Sequence, residues 1–117
     1  MKKHILIVED DEQLREAVKD VLHNAGYVTS TCTEYKNVLS CVNKSQVDLV
    51  LLDGYLNEFD GREVLCQLKN NSATRHIPVV FASVMSVNDL KDCKPDAILF
   101  KAYGMHELLA IVQQQLG

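Results

Sequence analysis

The sequence predicts an α/β fold: a doubly wound parallel sheet of five strands alternating with helices, in one domain spanning residues 1–117. Three observations carry that expectation. Short apolar runs recur along the chain and end in polar or charged residues, as strands covered on both faces do. The intervals between them place apolar residues at helical spacing. The chain is 117 residues long with 47% hydrophobic residues, enough for one compact core and too short for two ordinary ones. Right-handed crossovers between successive parallel strands then put helices on both faces of the sheet.

Residues 4–9, His4-Ile5-Leu6-Ile7-Val8-Glu9, read as the first strand, and Asp10, Asp11 and Glu12 follow at once. Leu14, Ala17, Val18, Val21, Leu22 and Ala25 fall on one stripe of a first helix, with acids in its first turn and Gly26 placed to stop it. Tyr27 to Cys32 is β-branched and polar by alternation, which suits an edge strand. Val38, Leu39 and Val42 mark a short second helix.

Val47-Asp48-Leu49-Val50-Leu51-Leu52-Asp53-Gly54 is the central strand and its exit, followed by a loop from Tyr55 to Asp60. Gly61 leads into a third helix carrying Val64, Leu65 and Leu68, closed by Asn70-Asn71-Ser72. Pro78 to Ser83 is the fourth strand, with proline tolerable at its first residue. Only a short fourth helix, around Val87 and Leu90, fits before the fifth strand, Ala97 to Phe100. A final helix, roughly Gly104 to Leu116, aligns Met105, Leu108, Leu109, Val112 and Leu116.

Composition excludes several function classes. The net charge is -4 and no basic stripe is present, so a nucleic-acid-binding surface is not expected. No apolar run approaches a membrane span, and the start has no cleavable leader pattern, which points to a cytoplasmic protein without a membrane partner. Cys32, Cys41, Cys66 and Cys93 form no Cys-x-x-Cys pair. Their expected role is small apolar filler under reducing conditions.

A parallel sheet brings the carboxyl ends of its strands to one rim, where ligands bind. Here that rim collects Glu9, Asp10, Asp53, Ser83 and Lys101. Three carboxylates in one crevice repel each other unless a cation sits among them, and oxygen-only donors suit a hard ion such as Mg²⁺. Mg²⁺ takes one or two carboxylates and keeps room for phosphate oxygens, leaving Asp53 able to attack phosphorus as a nucleophile. The Ser83 hydroxyl and Lys101 ammonium would hold the equatorial oxygens of the transferred group. The bland reading of Glu9, Asp10 and Asp11 is a cap cluster for the first helix, and that of Ser83 a strand-end hydroxyl.

Together, the run from Ile5 to Asp11, Leu51-Leu52-Asp53, Asp60-Gly61-Arg62-Glu63, Pro78 to Ser83, and Lys101 resemble the receiver domain of two-component response regulators. The resemblance covers essentially the whole chain. It implies a flavodoxin-like sheet of order 2-1-3-4-5 and phosphorylation of Asp53 by a histidine kinase or phosphotransfer protein. It also implies Mg²⁺ held by Glu9, Asp10, Asp53 and the Tyr55 backbone carbonyl, with Asp10 a direct ligand, and Ser83 and Lys101 as the phosphoryl-binding pair.

The departures are specific. Asn57 stands where the family often has proline, which implies a small change in loop stiffness and little else. Val84 replaces a small residue and would narrow access to Asp53, and Ile98 replaces the aromatic that swings inward on activation. The interval from Ser83 to Lys101 is about one helical turn short. Ala102 follows the lysine in place of proline. The family's peptide at that point is usually cis; before alanine a cis bond costs about 2.5 to 4 kcal/mol, and we expect the fold to retain it.

Two function classes follow: a phosphoacceptor signalling module that is not itself an enzyme with a diffusible substrate, and a receiver-like adaptor that binds partners constitutively. A phosphatase of the haloacid dehalogenase type would want an aspartate at Tyr55. A flavin-binding domain would want a phosphate loop where Glu9-Asp10-Asp11 stands.

Overall fold

The computed structural model describes residues 2–84, 90 and 92–117. Five strands build the main sheet: β1 (His4–Val8), β2 (Val28–Cys32), β3 (Leu49–Asp53), β6 (Val79–Ser83) and β7 (Ala97–Phe100). Every pairing among them is parallel, in the spatial order β2-β1-β3-β6-β7. Counted along the main sheet this is the expected order 2-1-3-4-5, with the polar strand β2 at an edge. The described α-helices are α1 (Glu12–Asn24), α2 (Val38–Lys44), α3 (Arg62–Asn70) and α4 (Met105–Leu116), with a one-turn 3-10 helix at Tyr35–Asn37 leading into α2. The short helix expected around Val87 falls on residues outside those described; Leu90 beside it is buried in the core.

Strand alternation assigns each helix to a face. Leu6, Val8, Val50, Leu52, Val79 and Phe81 point to one side and pack against Val38 and Val42 of α2 and Val64, Leu65 and Leu68 of α3. Ile5, Ile7, Leu49, Leu51, Val80 and Leu99 point to the other, against Val18 and Leu22 of α1 and Leu108 and Val112 of α4. The sheet is thus covered on both sides, which is why β1, β3 and β6 read as nearly unbroken apolar runs.

Two features depart from expectation. The segment read as a loop, 55–60, is a β-hairpin in which β4 (Tyr55–Leu56) pairs antiparallel with β5 (Phe59–Asp60). Its connection, Asn57 and Glu58, has φ of 51° and 69°, the two positive angles of a type I′ turn. Proline is locked near a φ of about -65° and would forbid this turn, so asparagine at position 57 changes the loop's architecture and not merely its stiffness.

The second departure concerns the cysteines. Cys66 of α3 and Cys93 form a disulfide, their Cα atoms 5.3 Å apart, while Cys32 and Cys41 are free. Apolar filler therefore describes Cys32, which is buried, and not the bonded pair. The fold brings together two residues far apart in sequence at a spacing a disulfide can span.

Candidate functional site

β1 and β3 are neighbours in register, Val8 opposite Leu52, so the residues just past β1 and at the end of β3 share one rim. Glu9, Asp10 and Asp53 each offer a carboxylate oxygen there, all within 4.8 Å of one another. Glu9 and Asp53 are buried and Asp10 is exposed, so the cluster opens to solvent on the Asp10 side.

The capping and site readings of the acidic run divide between residues. Asp11 is the N-cap of α1, its Oδ1 accepting from the Leu14 amide at 3.2 Å. Glu9 and Asp10 are thereby left to the rim. The Glu9 backbone continues the sheet by donating to the Cys32 carbonyl at 3.0 Å, and its Oε2 accepts from the Asp11 amide at 3.2 Å. Burial first, then the facing Asp53 charge, push the Glu9 carboxyl up from 4.5 to about 7.

Asp53 is held by several groups. Its Oδ1 accepts from the Tyr55 amide at 3.0 Å and lies 3.0 Å from Lys101 Nζ. Its backbone carbonyl accepts from the Tyr35 hydroxyl at 2.5 Å. Burial and the Asp53 charge push that phenol far up, so it stays a donor. Gly54 and Gly61 fit around this centre by having no side chain: a Cβ on Gly54 would lie 2.8 Å from the Phe81 ring, and one on Gly61 would lie 2.7 Å from Tyr35 Oη and 3.0 Å from the Asp53 carbonyl.

Ser83 ends β6 beside Asp53, buried, and its carbonyl accepts from the Lys101 amide at 3.0 Å. The sequence-predicted residues are therefore assembled: Glu9, Asp10, Asp53, Ser83 and Lys101 line one rim, and the Tyr55 backbone is tied to Asp53. The Lys101–Ala102 peptide is trans, as is every peptide of the described residues, which corrects the expected cis bond. The turn is made instead by Ala102 at a φ of 39°, a left-handed angle costing less than a cis bond before alanine, and it still aims Lys101 at Asp53. Val84 is 84% exposed, so it does not close over Asp53 as expected. Ile98 is half-buried and packs on the core.

Sequence reasoning missed three contributors. Tyr35 carried no motif, and its contact with Asp53 is created only by the fold. Arg15, one turn into α1, donates from Nη1 to the carbonyls of Glu9 and Asp10, both at 3.3 Å. Asn57 donates its backbone N–H to Asp10 Oδ2 at 3.3 Å and its side-chain amide to the Thr33 carbonyl at 3.0 Å. Beside them lies a cleft of about 1000 Å³ lined by Asp10, Tyr35, Asn57, Phe59 and Arg62, among others.

The donor set is oxygen alone, and Lys101 offsets one of the three acidic groups. A hard divalent cation fits that chemistry, with the exposed Asp10 side open to the waters such an ion retains.

The family model described as the response regulator receiver domain matches residues 5–113. The polar-differentiation response regulator DivK of Brucella anthropi is 32% identical over 121 residues, covering 100% of this chain and 98% of its own. The phosphate regulon transcriptional regulatory protein PhoB of Escherichia coli is 30% identical over 117 residues, covering 97% of this chain. The chain spans about half the length of PhoB, 51%. Among solved structures, the signal receiver domain of a histidine kinase from Syntrophus aciditrophicus matches with a TM-score of 0.89 at 27% identity, over 97% of this chain and 89% of that one. The chemotaxis response regulator CheY4 of Vibrio cholerae shares the fold with a TM-score of 0.89 at 21% identity, over 99% of this chain and 100% of its own.

Proposed function

The chain belongs to the receiver-domain family of response regulators, and on that premise we propose that it is a phosphoacceptor in which Asp53 takes a phosphoryl group from a histidine kinase or phosphotransfer protein. The observation that carries this reading is the Lys101 ammonium 3.0 Å from Asp53 Oδ1, on a rim that also gathers Glu9 and Asp10.

The Asp53 carboxylate attacks the phosphorus of a phosphohistidine. The P–N bond breaks and an acyl phosphate forms, the imidazole leaving as the neutral base after taking a proton. Asp53 is suited to this because Tyr55 and Tyr35 fix its position from both its side chain and its backbone. Lys101 holds one equatorial oxygen and Ser83, from the next strand, holds another. Glu9, Asp10, Asp53 and the Tyr55 carbonyl would hold Mg²⁺, which supplies positive charge against the phosphoryl oxygens.

The ammonium's aim favours a working acceptor over a constitutive adaptor, despite Ile98 and the missing proline. The protein then acts as the kinase's substrate in the cytoplasm, and phosphorylation changes which partner it binds. Incubation with Mg²⁺ and acetyl phosphate should add one phosphoryl group by intact mass. EDTA should abolish uptake. An Asp53→Asn variant that took up phosphate equally well would refute the assignment.

A further inference from the structure

The Cys66–Cys93 bond joins two parts of the molecule that each lead to the candidate site. Cys66 sits in α3, whose start is fixed to the Asp53 end of β3: the Gly61 amide donates to the Gly54 carbonyl at 2.8 Å, and the Leu65 amide to the Gly61 carbonyl at 3.0 Å. Cys93 lies in the stretch entering β7. There Asp96 Oδ2 accepts from the Val79 amide at 2.7 Å, and the Asp96 amide donates to the Val79 carbonyl at 2.9 Å, at the start of the strand that ends in Ser83. The disulfide thus closes a loop that contains all of β6 and Ser83. Lys69 of α3 also pairs with Asp96, so the bond reinforces an existing contact between the same two parts.

Both sulfurs belong to half-buried residues, within reach of a small thiol reagent. In a reducing cytoplasm a protein disulfide persists only as a transient or regulatory bond. Partial exposure and the reducing setting together argue for a bond that is made and broken.

We propose that Cys66 and Cys93 form a reversible redox site, oxidised by a glutathione-type disulfide, whose state sets how readily Asp53 is phosphorylated. The coupling to Asp53 rests on the phosphoacceptor reading above, and the bond's reversibility on the reducing cytoplasm that reading places it in; the bond itself rests on neither. In the exchange one protein thiolate attacks the small disulfide, releasing one small thiolate and leaving a mixed disulfide. The second protein thiolate then attacks the mixed disulfide, forming the Cys66–Cys93 bond and releasing the second small thiolate. The protein thiols lose two electrons, the small disulfide gains them, and the two thiol protons pass to the released thiolates. When bonded, α3 and the stretch before β7 are tied covalently beside β6; when reduced, the Lys69–Asp96 pair and core packing alone join them, so the stretch that enters β7 and leads to Lys101 is less constrained.

The test uses the full chain equilibrated with oxidised glutathione or with dithiothreitol. Oxidation should lower the intact mass by two hydrogens, and peptide mapping should place the bond between Cys66 and Cys93 while Cys41 still reacts with iodoacetamide. Phosphate uptake from acetyl phosphate with Mg²⁺ should then differ several-fold between the two states, and a Cys66→Ser/Cys93→Ser variant should show the reduced rate in both buffers. A bond mapping to Cys32 and Cys41, or no bond at any glutathione ratio, would overturn the site. A bond in place with equal uptake rates would overturn the coupling. Uptake in neither state would sink the phosphoacceptor reading and the coupling with it, while the mapped bond still decides the redox site.

Discussion

On the β1–β3 side of the rim, carboxylates are set by backbone. Glu9 extends the sheet through the Cys32 carbonyl, Arg15 clasps the Glu9 and Asp10 carbonyls, and Asp53 is pinned at its Oδ1 by Tyr55 and at its carbonyl by Tyr35. On the β6–β7 side the ammonium arrives on a long, flexible side chain from a backbone that leaves the sheet through Ala102 at a φ of 39°, with Val84 and Phe100 exposed beside it. The acids are thus fixed, and the counter-charge is adjustable. That division suits a site where the acceptor must stay in place while its surroundings respond to a new phosphoryl group.

The largest effect should come from breaking the fixed side. Gly54→Val would drive a branched side chain into the fully buried Phe81 ring. We expect a loss of about 3 kcal/mol, the upper end for overpacking, read as a shift in urea midpoint.

A second contrast is in pH. Glu9 titrates near 7 in the folded chain against 4.5 unperturbed, so the folded state binds this proton more tightly than the unfolded one. Its contribution to stability is fully present below about pH 4.5 and is lost as pH rises toward 7. Melting curves without divalent cations should therefore show stability falling across that window. Millimolar Mg²⁺ should raise the melting temperature most at the alkaline end, since it competes with that proton. A flat profile with no response to Mg²⁺ would mean that the acids do not share a site.

On the adjustable side, Lys101→Met should cost about 1 to 2 kcal/mol without metal. This is less than the roughly 3 to 5 expected for a fully buried pair, because the ammonium is partly solvated. The same variant should raise the Glu9 titration further, since Lys101 lowers it. Smallest in stability is Asn57→Pro, which should abolish the 55–60 hairpin at a cost of about 1 kcal/mol. Loss of cross-strand NOEs between Tyr55 and Asp60 would check it.

The same division marks what the sequence disclosed. Strand order, the edge position of β2 and the gathering of Glu9, Asp10, Asp53, Ser83 and Lys101 follow from periodicity, topology and family likeness, because strand ends in a parallel sheet must meet at one rim. The hairpin did not announce itself: Asn57-Glu58 lacks the glycine that usually flags a type I′ turn. The disulfide was hidden because pairing is not readable from cysteine spacing. Tyr35 was silent for the same reason, since its bond to Asp53 is a product of tertiary contact. At Ala102 the family's cis habit misled, because a left-handed alanine solves the same aiming problem at lower cost.

Asp53 is the residue proposed to carry the phosphoryl group, and locating the modified side chain tests that most directly. The protein would be treated with acetyl phosphate and Mg²⁺, the acyl phosphate reduced with borohydride, and the product mapped by peptide mass spectrometry. Borohydride converts an aspartyl phosphate to homoserine, so homoserine is expected at position 53, with unmodified acids at Glu9 and Asp10. Homoserine elsewhere, or none in a sample that carries phosphate, would contradict it.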